Sequence, residues 1–219
     1  MELTLQSNSS PLGQLDFEAI RRRFDAHQSV PDSEFDALFP DPIRAKSEIH
    51  WTPTEVAQRA AQMLVQDEHS RILDVGSGPG KFCLVGAMST PGTFVGVEQR
   101  PHLAAFARAF AHKNQVERVS FMNARIEQID WSRFNGFYLY NPFIETLYEP
   151  SDRIDETVET GPERYVRLVR FVQLSLSRLN VGTRVVTFHG FGGDMPPTYD
   201  MVIKERWGED FLVCWEKIL

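Results

Sequence analysis

The sequence predicts an α/β fold: a doubly wound, mostly parallel seven-stranded sheet that ends in a C-terminal antiparallel hairpin. Three observations predict it. Short apolar runs alternate with amphipathic stretches from about residue 50 onward, and the first of these runs ends in the glycine-rich turn Gly76-Ser77-Gly78-Pro79-Gly80. The tail then breaks the alternation, because residues 199–207 and 211–217 flank Gly208-Glu209-Asp210 and read as paired strands.

In chain order, residues 1 to about 12 are polar and serine-rich, with too little apolar surface to offset the entropy of ordering, and are expected to be disordered. Phe17, Ile20 and Phe24 recur at spacings of three and four and predict a helix over 15–24. Phe35, Leu38 and Phe39 repeat the pattern in a shorter helix ended by Pro40 and Pro42. Thr52 is placed to cap the next helix, with Pro53 at its first position, Glu55 completing a capping box, and Val56, Ala60, Met63 and Leu64 on its buried face. Strands follow at 71–75, 94–98, 118–123, 137–141 and 184–189, separated by helices at 81–88, 101–112 and 162–179. The last helix reads as burying Val166, Val169, Val172, Leu176 and Leu179. The expected organisation is an N-terminal helical extension or cap over residues 1–50 and a main domain over 51–219.

At 219 residues, with 16 phenylalanines, the chain can bury one substantial core and is short for two. Thirty acidic against 23 basic residues leave a net charge of -7, which offers no broad attraction to phosphate backbones or anionic membranes. Nucleic acid is therefore not favoured as a partner. Cys83 and Cys214 lie far apart, and no group of His, Asp, Glu and Cys has metal-ligand spacing, so no disulfide and no metal are expected. No basic start leads into an apolar segment, and no run approaches the ~20 apolar residues that span a bilayer; the expectation is a cytoplasmic protein. Oligomeric state is left open.

A parallel sheet binds ligands beyond the carboxyl ends of its strands, where helix N-termini and free amides meet. Gly76, Gly78 and Gly80 occupy that place after the first strand, and glycine lets a ligand lie against the main chain. Glu98 closes the second strand, where a carboxylate can accept both hydroxyl bonds of a ribose while repelling a 2'-phosphate. Alone, such a turn is as readily structural as a ligand cradle. Asp74, Glu98 and the terminal hairpin tip the balance to the cradle. A nicotinamide site would need glycine at position 81 of its GxGxxG fingerprint, where Lys81 stands.

Residues 72–82, ILDVGSGPGKF, resemble the first motif of class I, Rossmann-like S-adenosylmethionine-dependent methyltransferases, and residues 94–99, FVGVEQ, resemble their second. The likeness runs through at least residues 50–190. It implies S-adenosyl-L-methionine as cofactor, with Gly76, Ser77, Gly78 and Gly80 under its amino-acid part and Asp74 orienting the loop and the amino group. It further implies Glu98, followed by Gln99, at the ribose, Asn123-Ala124 at the adenine, and Thr52 of Thr52-Pro53-Thr54 near the cofactor carboxylate. Family members often carry Asp at the place of Asn123.

Methyl transfer from a sulfonium is an in-line attack, so the protein must position the acceptor and manage its proton. Tyr140-Asn141-Pro142-Phe143 ends the fourth strand and resembles the N-P-P-aromatic motif of methyltransferases acting on planar amines, with one proline fewer. The resemblance implies that Asn141 touches substrate or cofactor. A weaker similarity exists to non-SET lysine methyltransferases, which also pair an upstream Thr-Pro with Asn and Phe after the fourth strand. Glu145, Glu149, Asp152, Asp155, Glu156 and Glu159 read as a solvated helix face, or alternatively as an attractor for a cationic amine. His189 ends the fifth strand as a general base or a structural hydrogen bonder. Gly190, Gly192 and Gly193 follow it as a mobile loop. Trp51 reads as a packing residue at the helix start or as part of a cofactor lid.

The functional expectation is methyl transfer to a nitrogen or oxygen of a small molecule or protein side chain, with Asn141, Tyr140 and His189 as catalytic candidates. Two alternatives stand beside it: a protein of the same fold that binds the cofactor without turnover, and a nicotinamide-dependent oxidoreductase.

Overall fold

The computed structural model describes residues 17–26 and 28–219; the stretch expected to be disordered lies outside them. Four short helices come first, α1 (Phe17–Asp25), α2 (Asp32–Asp36), α3 (Asp41–Arg44) and α4 (Ser47–His50), then α5 (Thr54–Leu64). The alternating part runs β1 (Arg71–Val75), α6 (Lys81–Ser89), β2 (Thr93–Glu98), α7 (Pro101–Lys113), β3 (Val119–Asn123) and β4 (Gly136–Leu139). It continues through α8 (Pro162–Ser177) and β5 (Arg184–Phe188) to the hairpin β6 (Tyr199–Trp207) and β7 (Asp210–Lys217).

The seven strands lie in the order β3-β2-β1-β4-β5-β7-β6. The first five are parallel, and β7 inserts antiparallel between β5 and β6, pairing Val186 with Cys214. Ile72, Leu73, Asp74 and Val75 of β1 are all buried, as a central parallel strand covered on both faces requires. Strand order reverses direction between β1 and β4, so the loops after these two strands part and leave a crevice at their carboxyl ends.

One face of the sheet carries α5, α6 and α7, and α6 is apolar all round because α1 and α5 cover the side turned away from the sheet. The described residues between 17 and 50 share this core rather than sitting apart from it. Phe39, 1% exposed, stacks on Phe110 of α7 at 5.1 Å and meets Trp51 edge-on at 4.9 Å. The other face is covered by α8 and by 3-10 turns carrying Ile126 and Trp131.

Three local expectations are corrected. Thr52 and Glu55 form no capping box; Asp32 instead accepts from the Thr54 N–H and from its hydroxyl, each at 2.7 Å, so the α5 N-terminus is capped from a distant segment. Val166 is 62% exposed, and Leu168 takes its place in the buried stripe of α8 with Val169, Val172 and Leu176. The acidic stretch is no helix face: it holds two 3-10 turns, Ile144–Leu147 and Pro150–Asp152, and most of its carboxylates are in ion pairs with arginines.

Candidate active site

The crevice is a cavity of about 330 Å³ at the carboxyl ends of β1, β2, β4 and β5, roofed by residues from 43–52 and from 143–160. The N-terminal segment thus borders the cavity of its own chain. The β1–α6 turn forms its floor. Gly76, Gly78 and Gly80 have φ of +76°, +53° and +93°, and a Cβ on Gly78 would meet nothing within 4 Å, so this residue opens onto the cavity. Gly76 lies beside the loop after β4, where a Cβ on it would come within 3.5 Å of the Pro142 Cβ. Gly80 does not border the cavity; it lacks a side chain because Phe121 occupies the space, 2.5 Å from where a Cβ would lie. Ser77 borders the cavity, but its hydroxyl packs against Gly96, is buried and bonds to nothing among the described residues.

Asp74, 5% exposed, receives a 3.5 Å bond from the Cys83 thiol, and no cation pairs with it among the described residues. Burial pushes its carboxyl up to about 7, partly countered by the thiol. Glu98 is 4% exposed and held from two sides: Oε2 accepts from the Gly78 N–H at 3.1 Å and Oε1 from the Arg100 N–H at 2.8 Å. Burial raises its carboxyl above the usual range, against the opposing pull of Arg100 and the two amides. Gln99 and Ala124 also border the cavity. Asn123 does not; its amide donates to the carbonyls of Glu98 and Gln99, both at 3.0 Å, and so fixes the end of β2. That amide nitrogen is committed to backbone.

Thr52 borders the cavity with its hydroxyl 3.0 Å from the Tyr138 hydroxyl. At the end of β4, the Asn141 N–H donates to the Gly190 carbonyl at 2.9 Å, while its side-chain Oδ1 is buried without a partner among the described residues. Asn141 and His189 both have left-handed backbone, φ +35° and +56°, a conformation that stores strain where surrounding structure enforces it. The His189 Nδ1 lies 2.7 Å from the Asp210 carboxylate, and Tyr140 packs edge-on to the imidazole at 5.2 Å.

Several residues here were not singled out from the sequence. Arg100, its side chain 4% exposed, reaches Glu145 at 2.6 Å, Asp155 at 3.1 Å and Glu98 at 3.8 Å. Its position after the Glu98 motif and the arginine-poor acidic stretch downstream were the available signals. Lys81, equally buried, pairs with Asp32 and Asp36, each at 2.6 Å, and joins the glycine turn to α2. Asp210, at the start of β7, gave no sequence signal, because only the hairpin brings it to His189.

Residues 66–141 match the family model of a methyltransferase domain. Over that segment the chain is similar to a methyltransferase domain. No curated protein sequence matches it. Among solved structures, an RNA methyltransferase from Salinibacter ruber in complex with S-adenosyl-L-homocysteine is 22% identical, with a TM-score of 0.55 over 76% of this chain and 92% of the other. TrmN from Thermus thermophilus is 15% identical, with a TM-score of 0.56 over 81% of this chain and 52% of the other. These likenesses extend the Rossmann-like methyltransferase fold over most of the chain.

The motifs imply S-adenosylmethionine as cofactor, and the donors present fit it. A buried carboxylate without a cation suits an ammonium, and Glu98 keeps lone pairs beyond the two its amides use. Gly78 leaves room for a ligand against its main chain. Among the described residues, no helix is long and apolar enough to cross a membrane, and no group of three His, Cys, Asp or Glu could hold a metal.

Proposed function

We propose that this methyltransferase modifies a nitrogen of a small molecule or a protein side chain, and that the acceptor N–H donates to Asn141 Oδ1. The observation that carries this reading is the side chain of Asn141, a residue of the cavity wall: its Oδ1 is buried with no partner among the described residues, and a buried acceptor without a bond costs about 1–3 kcal/mol. S-adenosylmethionine supplies an activated methyl group when bound. Asn141 orients the acceptor nitrogen, Tyr140 and His189 border it, and the roof from 43–52 excludes water. In this reading Asp74 receives the cofactor ammonium, Glu98 the ribose hydroxyls, and Gly76, Ser77, Gly78, Gln99, Ala124 and Thr52 form the remaining wall. Residues 28–50 act as a cap on the domain that follows.

The neighbour from Salinibacter ruber acts on RNA, whereas the net charge of -7 here gives a polyanion no broad attraction. Incubating the full chain with labelled cofactor and cell extract, split into protein, small-molecule and nucleic-acid fractions, decides between them. Label in either of the first two supports the proposal; label confined to nucleic acid sinks it. Asn141→Ala should lower kcat by roughly 100-fold while S-adenosylhomocysteine binds within about threefold of wild type. Retained turnover with lost cofactor affinity would move Asn141 out of the acceptor site.

A further inference from the structure

Resting on the nitrogen reading, we propose that the acceptor is an alkylamine that arrives protonated, and that His189, held by Asp210, takes its proton. The Asp210 carboxylate lies 2.7 Å from Nδ1, which assigns the ring hydrogen of the neutral imidazole to that nitrogen. Among the described residues no protein atom bonds Nε2, and the ring borders the cavity. Asp210 from β7 and Tyr140 from the end of β4 are the titratable groups that face the imidazole. The bond from the Asn141 N–H to the Gly190 carbonyl ties the two loops together, so Asn141 and His189 line neighbouring parts of the cavity wall.

Acceptor chemistry separates the candidates. A planar amine on a heterocycle or amide is neutral at pH 7 and sheds its proton only after the C–N bond has formed, which demands little beyond Asn141. An alkylamine is an ammonium at that pH and has no lone pair until a proton leaves. An imidazole backed by its own carboxylate answers the second need. The surroundings suit a cation: Tyr140 and Tyr148 border the cavity, and Glu149 and Asp152 are exposed on its roof segment. In the step, one N–H proton passes to Nε2 and leaves an imidazolium facing Asp210. The freed lone pair forms the C–N bond as the S–C bond of the cofactor breaks, its electrons staying on sulfur as a thioether.

The test uses the full chain, labelled cofactor, and two probes, a lysine-containing peptide and adenosine, from pH 6 to 9. The expected result is methylation of the peptide at a rate that climbs with pH to a plateau. His189→Gln should lower that rate by roughly 100-fold and remove the climb. Asp210→Asn should lower it by about tenfold, and Asp210→Glu should restore most of it. Independently of turnover, ¹⁵N spectra of the imidazoles should show neutral His189 carrying its hydrogen on Nδ1, and Asp210→Asn should lose that signature with S-adenosylhomocysteine affinity unchanged. Methylation of adenosine but not peptide keeps the nitrogen reading and overturns this one. Methylation of neither probe, or a wild-type hydrogen on Nε2, also overturns it.

Discussion

Asp74 shows how one side chain couples the site to pH. Its carboxyl, raised by burial to about 7 from an ordinary 3.8, holds a proton that the unfolded chain has already lost. Its contribution to stability is therefore full below pH 3.8 and is lost as pH rises through about 7. A bound ammonium reverses the preference by favouring the carboxylate. S-adenosylhomocysteine should thus bind more tightly as pH rises through about 7, and calorimetry on Asp74→Asn should show that rise abolished. Glu98 is judged differently, because two amides already hold its carboxylate. Glu98→Ala removes both the ligand acceptors and the anchor of Gly78, and should weaken binding at least tenfold, a loss of about 1.4 kcal/mol or more. Unchanged affinity in a folded variant would refute the ribose assignment.

Among the elements, α5 depends on a residue outside itself. Asp32 caps its first turn and also pairs with Lys81. Burial acts to raise the Asp32 carboxyl, but the bonds from Lys81 and Thr54 outweigh it and hold the group below its ordinary value. Its contribution is present above the ordinary carboxylate range and fades on acidification. Asp32→Ala should cost about 1–2 kcal/mol in urea unfolding at neutral pH, with a smaller difference from wild type near pH 3. Equal unfolding midpoints at pH 7 would remove Asp32 from the cap. At the sheet's far end, the hairpin both closes the edge beside β5 and delivers Asp210 to His189.

Across the whole molecule, the cavity is assembled from segments that ion pairs draw together. Arg100 links the end of β2 to the roof at Glu145 and Asp155, and Lys81 links the glycine turn to α2. Removing one partner of a buried pair leaves the others uncompensated, and Arg100 faces three carboxylates. Arg100→Ala should therefore lower unfolding free energy by about 3–5 kcal/mol and weaken S-adenosylhomocysteine binding with it. A variant as stable as wild type would show the roof to be held by apolar packing instead.

The elements were legible because their signals are local. Apolar runs at 71–75 and 184–189, the glycine turn and the Gly208 turn each announce a backbone state through residues within a few positions, and the strands formed where those signals lay. The motif pair around Gly78 and Glu98 marked one end of the cavity by the same logic. Capping, charge pairing and orientation were not legible. Asp32 reaches Thr54, Arg100 reaches Asp155, and Asp210 reaches His189 across separations that no pattern along the chain encodes. Asn123 has the residue type for ligand binding and the environment for holding backbone. Sequence by itself determined the sheet, its order of helices and strands, and the glycine turn, since these follow from periodicity and backbone freedom. Only the tertiary structure decided which polar groups were already satisfied and which, like Asn141 Oδ1, were buried without a partner among the described residues, because satisfaction depends on which distant segments the fold brings into contact.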